Sequence, residues 1–489
     1  MGIDRRTVLK GSAAVAGGVM IGGPFQGLVA TPANALGAPA FRGLRGLPDE
    51  RDGKVRLHLP EGFSYRSFHD TEDPVVLDDG TNLPGRHDGM GAFAGPDGNV
   101  TLVRNHEVNG SGVGRAFGPI GGHTYDRNAQ GGCTVVQVSL EGEVAQAWTG
   151  LNGTMMNCSG GQMPWGAWIT CEETINGPDV GPDFTRASNI PLEKPHGYIF
   201  EVPTEGTASG EPITKAGRFP HEAVALDPVD GYLYLTEDNF AFPSGFYRYK
   251  PKTHPMTSGH IDNEGTLQML AVKGRPEAHL EAHQAKAANY TVEWVDIDDP
   301  DPTFPYTPGE TAPTTNDEAI VYVGDQGRAK GAAHFSRLEG AIYDNGVVYF
   351  TSTQGGGDAM TGPDNRKGYG KGFGQVWGYH CRSGKLQLVF QSPGKMTLDL
   401  PDNITVSRRG TLVICEDSSG DNYVRGLSRG GQLWDIALNR LVSKTGTERF
   451  GDEFAGSTFS PDGHTLFVNI QSSQGMTFAI WGPWEKIGV

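Results

Sequence analysis

A turn, an apolar strand and a polar or acidic end recur in that order six times along this chain of 489 residues. The first copy runs from Asp97 to Glu107, where Asp-Gly-Asn precedes Val-Thr-Leu-Val and Arg-Asn-His-Glu follows it. The other copies lie at 165–173, 230–238, 344–351, 409–417 and 462–469. Turn residues between β-forming residues are typical of β-hairpins. The repetition therefore indicates that the chain builds one kind of strand pair several times.

A second unit, an alternating aromatic strand that begins at a turn residue, follows each of these strands. Clear copies begin at Gly197, Gly245, Gly374 and Gly431, and weaker copies begin at Gly132 and Met476. Six pairs of units, mostly about 50 to 70 residues apart, predict an all-β fold, a six-bladed β-propeller. One interval is much longer, and it predicts a loop-rich insertion at about 251–318, between the third and fourth blades.

The N-terminal residues 1–35 are predicted to be a twin-arginine signal peptide, and 36–489 a single β-propeller domain. Arg5-Arg6 precedes a weakly apolar run rich in Ala and Gly, and Ala33-Asn34-Ala35 fits a small-x-small cleavage site. The apolar run is too short and too rich in glycine for a membrane span. We therefore expect a protein without a membrane span that is periplasmic or secreted through the twin-arginine pathway. We also expect it to be a monomer.

Charge and cysteine content limit the partners of the chain. There are 40 basic and 57 acidic residues, and the formal net charge is −17. Because no basic stripe appears, the sequence argues against specific nucleic-acid binding and against anionic membranes. Five scattered cysteines, without a CxxC motif, leave at least one thiol outside any intrachain disulfide, and we expect Cys158 to be that thiol.

Acidic residues and one thiol recur at the same position of the predicted inner strands. In most copies this residue stands seven to nine positions before the turn; the five residues are Asp88, Cys158, Glu222, Glu339 and Asp402. The sixth copy has Ala455 there. The following strands end in a second set of carboxylates, namely Glu107, Glu173, Glu237, Asp238, Glu416 and Asp417. Inner strands of a propeller converge on one channel, so these groups should meet at one mouth.

Such a ring of acids requires cations. Two unit charges about 4 Å apart repel by about 4 kcal/mol at an effective dielectric constant near 20. Carboxylates with few histidines indicate hard ions, whereas a thiolate at Cys158 favours a transition metal. A hairpin over 157–173 would bring Cys158 close to Glu172 or Glu173. Arg337 precedes Glu339 by two residues and shares its face, either as a structural ion pair or as a guanidinium for an oxyanion substrate.

Five motifs together resemble the PhoX-type alkaline phosphatases, an exported bacterial family. They are Arg104-Asn105-His106-Glu107, Asn157-Cys158-Ser159-Gly160-Gly161, Pro164-Trp165-Gly166 with Cys171-Glu172-Glu173, Pro220-His221-Glu222-Ala223, and Arg337-Leu338-Glu339-Gly340. The resemblance implies a propeller-like catalytic domain, a twin-arginine signal, two oxo-bridged Fe³⁺ ions and up to three Ca²⁺ ions. It also implies hydrolysis of small phosphate monoesters, and of some other phosphate esters, without zinc or a serine nucleophile.

The same resemblance assigns roles to individual residues. Cys158, Glu173, Glu222 and Glu339 correspond to the iron ligands, and Glu222 would also face calcium. Arg337 corresponds to the arginine that holds the phosphate, with Asn105 as a helper. The remaining candidates for the calcium sites are Glu237, Asp238, Asp402, Asn403, Glu416, Asp417 and Asp421. The chain is shorter than the best-described members, so we expect loops that shape their substrate pocket to be missing here.

Two other functions remain open on the sequence. A calcium-dependent propeller lactonase or esterase would need one central calcium and a histidine base, and it would not need Cys158. An exported propeller that only binds a partner would use its metals as structural supports.

Overall fold

The structure, a computed structural model, describes residues 43–360 and 369–489. The predicted signal peptide lies outside these residues. Within them, strands dominate, and the α-helices are α1 (Pro255–Ser258) and α2 (Asn316–Arg328). In the described ranges, no helix has the length and apolar character that a membrane crossing requires.

The first half of the described chain contains fifteen strands. In chain order they are β1 (Arg45–Pro48), β2 (Val55–Leu59), β3 (Ser64–Phe68), β4 (His87–Ala94), β5 (Val100–His106), β6 (Gly131–Val138), β7 (Val144–Thr154), β8 (Asn157–Met163), β9 (Ala167–Glu172), β10 (Ile199–Pro203), β11 (His221–Asp227), β12 (Tyr232–Glu237), β13 (Phe246–Pro251), β14 (Gly265–Val272) and β15 (Asn289–Asp296).

The strands that follow α2 complete the fold. They are β16 (Leu338–Asp344), β17 (Val347–Ser352), β18 (Gln375–His380), β19 (Lys385–Gln391), β20 (Pro401–Val406), β21 (Leu412–Glu416), β22 (Tyr423–Leu427), β23 (Leu433–Asn439), β24 (Phe454–Phe459), β25 (Thr465–Ile470) and β26 (Met476–Trp481).

The described strands form five antiparallel sheets in a propeller-like, all-β arrangement. Their strand orders are β4-β5-β6-β7; β8-β9-β10; β11-β12-β13-β14-β15-β19-β18-β17-β16; β1-β2-β23-β22-β21-β20; and β24-β25-β26-β3. The prediction of six separate blades is therefore wrong in its count. The physical reason is β15, which pairs with β14 on one side and with β19 on the other, and so joins the expected third and fourth blades into one nine-stranded sheet.

The predicted insertion at 251–318 is more regular than the sequence indicated. It contains α1, β14 and β15, and α2 begins within it. The cap of α2 explains its start: Thr315 Oγ1 accepts a hydrogen bond from the Glu318 backbone N–H, and the Glu318 side chain accepts one from the Thr315 N–H in return. An acidic, proline-rich stretch at 297–315 forms the connection between β15 and α2.

The inner strands form a closed ring. β4, β8, β11, β16, β20 and β24 each lie beside the next in this order, and β24 lies beside β4. Apolar clusters fill the spaces between neighbouring sheets, as where Leu102 and Val136 share one cluster with Phe467 and Ala479. Each large apolar side chain buried in this way stabilises the fold by about 1.5–3 kcal/mol. The packed sheets thus support the ring, and the ring positions the site.

Candidate functional site

A cavity of about 900 Å³ opens at the end of the ring where the inner strands begin. Its inner wall is acidic and includes one thiol; the residues are Asp88, Glu107, Cys158, Glu173, Glu222, Glu339, Asp402, Asp417 and Glu453. Arg86, Arg337 and Phe240 also line the cavity, and its rim carries serines and threonines from 418–419, 443–447 and 472–473. The predicted convergence of the inner-strand acids at one mouth is thus present in the structure.

A β-bulge in every inner strand places these side chains. In each of the six strands, two consecutive residues lie opposite a single residue of the partner strand. The first shifted residues are Asp88, Cys158, Glu222, Glu339, Asp402 and Gly456. A bulge bends the strand and redirects a side chain, which here brings the five functional groups into the cavity. In β24 the prediction named Ala455, but Ala455 pairs with Asn469 and Gly456 holds the bulge position with φ 61°.

The ligand atoms fall into two clusters. In the first, Glu107, Cys158 and Glu173 each offer an atom, and in the second Glu222, Glu339 and Asp402 do so. Within each cluster these atoms lie within 4.8 Å of one another. The Cys158 thiol donates a hydrogen bond to Glu173 Oε2 over 2.7 Å.

Burial and mutual repulsion disfavour negative charge on these groups. Burial and the neighbouring Glu339 and Glu173 raise the pKa of Glu222 well above its usual range. Burial and Asp417 raise the pKa of Asp402 to about 7. Burial, with Glu173 as the next cause, raises the pKa of the Cys158 thiol. The cavity therefore holds more acid than its own basic residues neutralise.

This donor set fits the metals that the sequence resemblance implies. Oxygen donors in groups of three or more suit calcium, and a thiol beside carboxylates adds the softer ligand that iron accepts. Bound cations would remove the repulsion that raises the pKa values of Glu222 and Asp402. The first cluster thus suits iron through Cys158, and the second cluster offers only oxygen atoms.

Three strands end in two adjacent acidic residues, and the two side chains of each pair point to opposite faces of the strand. Glu173 and Asp417 face the cavity, and Asp238 faces Arg337. The preceding members of the three pairs are Glu172, Glu237 and Glu416, and each accepts hydrogen bonds from a backbone N–H of its own sheet or of the adjoining loop. The structure therefore does not bring the predicted calcium ligands Glu237 and Glu416 into the cavity, because their side chains point to the opposite face of the strand.

Glu172 is part of a buried ion network behind Glu173. His196 Nδ1 lies 2.6 Å from Glu172 Oε1, and His196 Nε2 lies 3.6 Å from Asp126 Oδ2. Burial lowers the pKa of His196, but the two carboxylates outweigh burial and raise the pKa to about 9. A protonated His196 therefore fixes the strand end that presents Glu173.

We expect His196→Gln to destabilise the protein in a pH-dependent way. The folded pKa of about 9 lies above the ordinary value of 6.5, so the stabilisation is complete below pH 6.5 and is lost as the pH rises towards 9. Its size is about 3 kcal/mol, at about 1.4 kcal/mol per pKa unit. Urea unfolding at pH 6 and pH 9 measures the difference, with His464→Gln at an exposed position as the control. A difference between wild type and variant that stays constant with pH would contradict this assignment.

Asn105 lies behind the cavity wall rather than in it. Its Nδ2 donates to the carbonyl oxygens of Cys158 and Ser159 over 2.9 and 2.7 Å, and its Oδ1 accepts from the Trp168 indole. Thr236 and Thr351 occupy the same position opposite their bulges, and each donates to the carbonyl of the next ring residue, Glu339 or Asp402. Asn105 is thus placed to hold the Cys158 bulge.

Two further predicted residues have defined places. Asn403 follows Asp402 in its bulge, donates to Asp402 Oδ1 over 2.7 Å and accepts a hydrogen bond from the Gly456 N–H. Asp421 forms a surface ion pair with Arg440 over 2.8 Å and does not line the cavity.

Arg337 lines the cavity and bonds two carboxylates. Its Nη2 lies 2.8 Å from Asp238 Oδ2 and 2.8 Å from Glu339 Oε1. Its guanidinium also lies over the Phe240 ring at 5.7 Å. These contacts fix the guanidinium plane at the cavity wall.

The sequence reasoning missed Glu453 and Arg86. Burial and Asp417 raise the pKa of Glu453 well above its usual range, so it belongs to the acidic wall. It precedes β24, the inner strand without an acid at its bulge, and the repeat therefore did not reveal it. Arg86 did leave a signal, because Arg86-His87-Asp88 has the same spacing as Arg337-Leu338-Glu339.

Comparison with known proteins identifies a family whose model matches this chain. The family model for alkaline phosphatase PhoX matches residues 45–149 and 139–474. The structure is similar to Pseudomonas fluorescens PhoX in complex with vanadate, a transition state analogue, with a TM-score of 0.63, 17% identity and coverage of 93% of this chain and 98% of that one. A Xanthomonas campestris gluconolactonase gives a TM-score of 0.38 at 12% identity, covering 90% and 99% of the two chains.

A catalytically inactive virginiamycin B lyase from Staphylococcus aureus gives a TM-score of 0.36 at 10% identity, covering 85% of this chain and 99% of that one. No curated protein sequence matches the chain. The family model covers most of the described residues, including all six inner strands. The chain therefore belongs to the alkaline phosphatase PhoX family.

Proposed function

We propose that this protein is an exported, metal-dependent phosphatase that hydrolyses small phosphate monoesters and some other phosphate esters. The observation that carries the proposal is the acidic cavity, in which two three-residue ligand clusters lie beside Arg337. A phosphate monoester is a dianion, and bare carboxylates would repel it. Cations at both clusters would reverse the charge of the cavity and make it a phosphate site.

The residues divide between two kinds of metal in this proposal. Cys158, Glu173, Glu222 and Glu339 would hold a pair of ferric ions, with Glu107 beside Cys158. Asp88, Asp402, Asp417 and Glu453 would hold calcium, together with Asp238 and the shared carboxylate of Glu222. When bound, these cations would act as Lewis acids towards the phosphoryl oxygens and the leaving oxygen.

The chain's own residues would orient the substrate. Arg337 would donate hydrogen bonds to two phosphoryl oxygens, because a guanidinium matches that geometry in a bidentate way. Asp238 and Glu339 would hold the guanidinium plane in place, so that little side-chain entropy is lost when substrate binds. Asn105 would keep Cys158 directed into the cavity through the two carbonyl groups that it bonds.

The cavity lining favours a phosphatase over the two alternatives. Among the described residues, no histidine lines the cavity, whereas a lactonase of the expected kind needs a histidine base. His106 and His221 are buried, and burial lowers the pKa of each to about 3. A guanidinium beside the metal ligands offers a contact for a phosphoryl group, which supports a phosphatase over a pure binding module.

Metal removal tests the proposal. We expect exported protein to contain iron and calcium and to hydrolyse 4-nitrophenyl phosphate. Exhaustive chelation should lower that activity by about 10²-fold or more and lower the Tm, and readdition of iron with calcium should restore both. Activity that survives in metal-free protein would refute the proposal. Hydrolysis of a lactone with calcium alone, without phosphatase activity, would support the lactonase instead.

A further inference from the structure

Arg86 and Arg337 occupy equivalent positions in the internal repeat. Each precedes the first bulge residue of its inner strand, Asp88 or Glu339, by two positions. Each has a left-handed backbone, with φ 50° at Arg86 and φ 45° at Arg337. The carbonyl of each accepts a backbone hydrogen bond from the neighbouring strand's end, Glu107 N–H at 3.0 Å for Arg86 and Thr353 N–H at 2.9 Å for Arg337.

The left-handed backbone at both arginines has a cost. A residue with a side chain is strained at positive φ relative to the right-handed region. Leu400 and Met156 repeat the same conformation two positions before Asp402 and Cys158. The left-handed backbone conformation is therefore shared by four copies of the repeat, where it lies two residues before the bulge of the inner strand. It gives the two arginine side chains the same starting direction relative to their strands.

The two arginines start from opposite sides of the ring. Between β4 and β16 lie β8 and β11 in one direction, and β20 and β24 in the other. In a ring of six strands, these two strands are therefore opposed. Both arginine side chains line the same cavity. The residues of both ligand clusters line this cavity as well.

An acidic residue bonds the Nε–Nη2 edge of each guanidinium. The Nε and Nη2 groups of Arg86 bond the backbone carbonyl and the carboxylate of Glu107. The Nε and Nη2 groups of Arg337 bond Asp238. Arg86 is more exposed, at 34% of its side chain against 9% for Arg337, so it lies nearer to the mouth.

We propose that Arg86 is a second catalytic arginine, which contacts the phosphoryl group from the side opposite Arg337. The inference rests on the proposed phosphatase function. Two opposed guanidinium groups would bind phosphoryl oxygens on both sides of a substrate seated above the ligand clusters. Arg337 would contact the phosphoryl group from the inner part of the cavity, and the more exposed Arg86 would contact it from nearer the mouth.

Arg86→Ala and Arg86→Lys test this proposal on the metal-loaded enzyme. We expect unchanged iron and calcium content, a fall in kcat/KM for 4-nitrophenyl phosphate of about 10-fold for alanine, and partial retention for lysine. Orthophosphate, measured calorimetrically, should bind the alanine variant about 10-fold more weakly. Millimolar guanidinium should partly restore the activity of Arg86→Ala, which a purely structural role does not explain.

The matched control is Arg382→Ala. Arg382 is half exposed and pairs with Asp227 and Asp230 at the opposite end of β11, outside the cavity. Its activity and phosphate affinity should equal those of the wild type. If Arg86→Ala loses metal and its activity follows metal content, or if its orthophosphate affinity is unchanged, Arg86 only supports Glu107 and the proposal is overturned. Wild-type protein that neither binds orthophosphate nor hydrolyses the ester would instead overturn the phosphatase function itself.

Discussion

Cys158→Ser is expected to fold but to lose its iron and about 10²-fold or more of its kcat/KM for a phosphate monoester. The thiol lies in the bulge of β8, buried beside Glu173 and within a cluster of three ligand atoms. A thiolate binds iron strongly, whereas a serine hydroxyl at the same place remains protonated near neutral pH. Because serine has nearly the shape of cysteine, the bulge and its backbone contacts should persist.

The measurements are iron content, visible absorbance and kinetics on one preparation. Cys415→Ser is the matched control, since Cys415 is also fully buried in a strand next to the ring but does not line the cavity. The control should lose some stability and keep its iron. The five cysteines form no disulfide in the structure, so neither variant removes a crosslink. Full iron occupancy in Cys158→Ser would remove the cysteine from the ligand set.

The position of the ring acids could be predicted because the bulge has a sequence signature. Gly, Ala or Ser follows five of the six bulge residues, as Gly89 follows Asp88 and Gly340 follows Glu339, and Asn403 follows Asp402. A Cβ on Gly89 would lie 2.5 Å from Ser159 Cα, and one on Gly340 would lie 2.6 Å from the Ile404 nitrogen. Neighbouring inner strands touch backbone to backbone at these two glycines, so a larger residue would not fit at either of them. This close packing links a local sequence pattern to a common register.

The face of each strand-end acid could not be predicted in the same way. Glu172 and Glu173 are adjacent, and only the register of β8 against β9 decides that Glu173 faces the cavity. The extra bulge residue shifts that register, so alternation counted from the turn does not assign the faces. The same uncertainty applied to Glu237 with Asp238 and to Glu416 with Asp417.

The number of sheets depends on a contact that leaves no local pattern. β15 lies in the predicted loop-rich insertion, and its outer edge pairs with β19 about 95 residues later. Pairing between distant strand edges is decided by the assembled fold rather than by the propensity of either segment. The repeats therefore predicted the inner strands well and the outer edges poorly.

Arg337→Ala is expected to keep its metals and to lose about 10²-fold in kcat/KM, or about 3 kcal/mol of transition-state stabilisation. The guanidinium is buried at the cavity wall, and Asp238 and Glu339 hold its plane. It would give the phosphoryl group a charge-assisted, bidentate contact that strengthens as charge develops on the oxygens. Arg337→Lys should recover only part of this loss, because an ammonium group offers a point charge without the fork.

The competing role for Arg337 is purely structural, and the contacts make it a serious alternative. Without the guanidinium, the buried carboxylates of Asp238 and Glu339 would lose the positive charge that neutralises them. This loss would destabilise the fold and weaken the metal site. Arg425→Ala is the matched control, because Arg425 is equally buried and also pairs with two carboxylates, Glu416 and Asp435, away from the cavity. The control should lower the Tm and leave kcat/KM unchanged.

Metal content, Tm and orthophosphate inhibition on the same preparations separate the two roles of Arg337. A phosphate-binding role requires a 10²-fold lower kcat/KM at full metal occupancy, together with weaker inhibition by orthophosphate. A structural role requires metal loss and a lower Tm, with activity proportional to the remaining metal. Because Asp238 and Glu339 are themselves candidate metal ligands, only the activity per bound metal ion is decisive. If that ratio equals the wild-type value, Arg337 serves the fold and not the substrate.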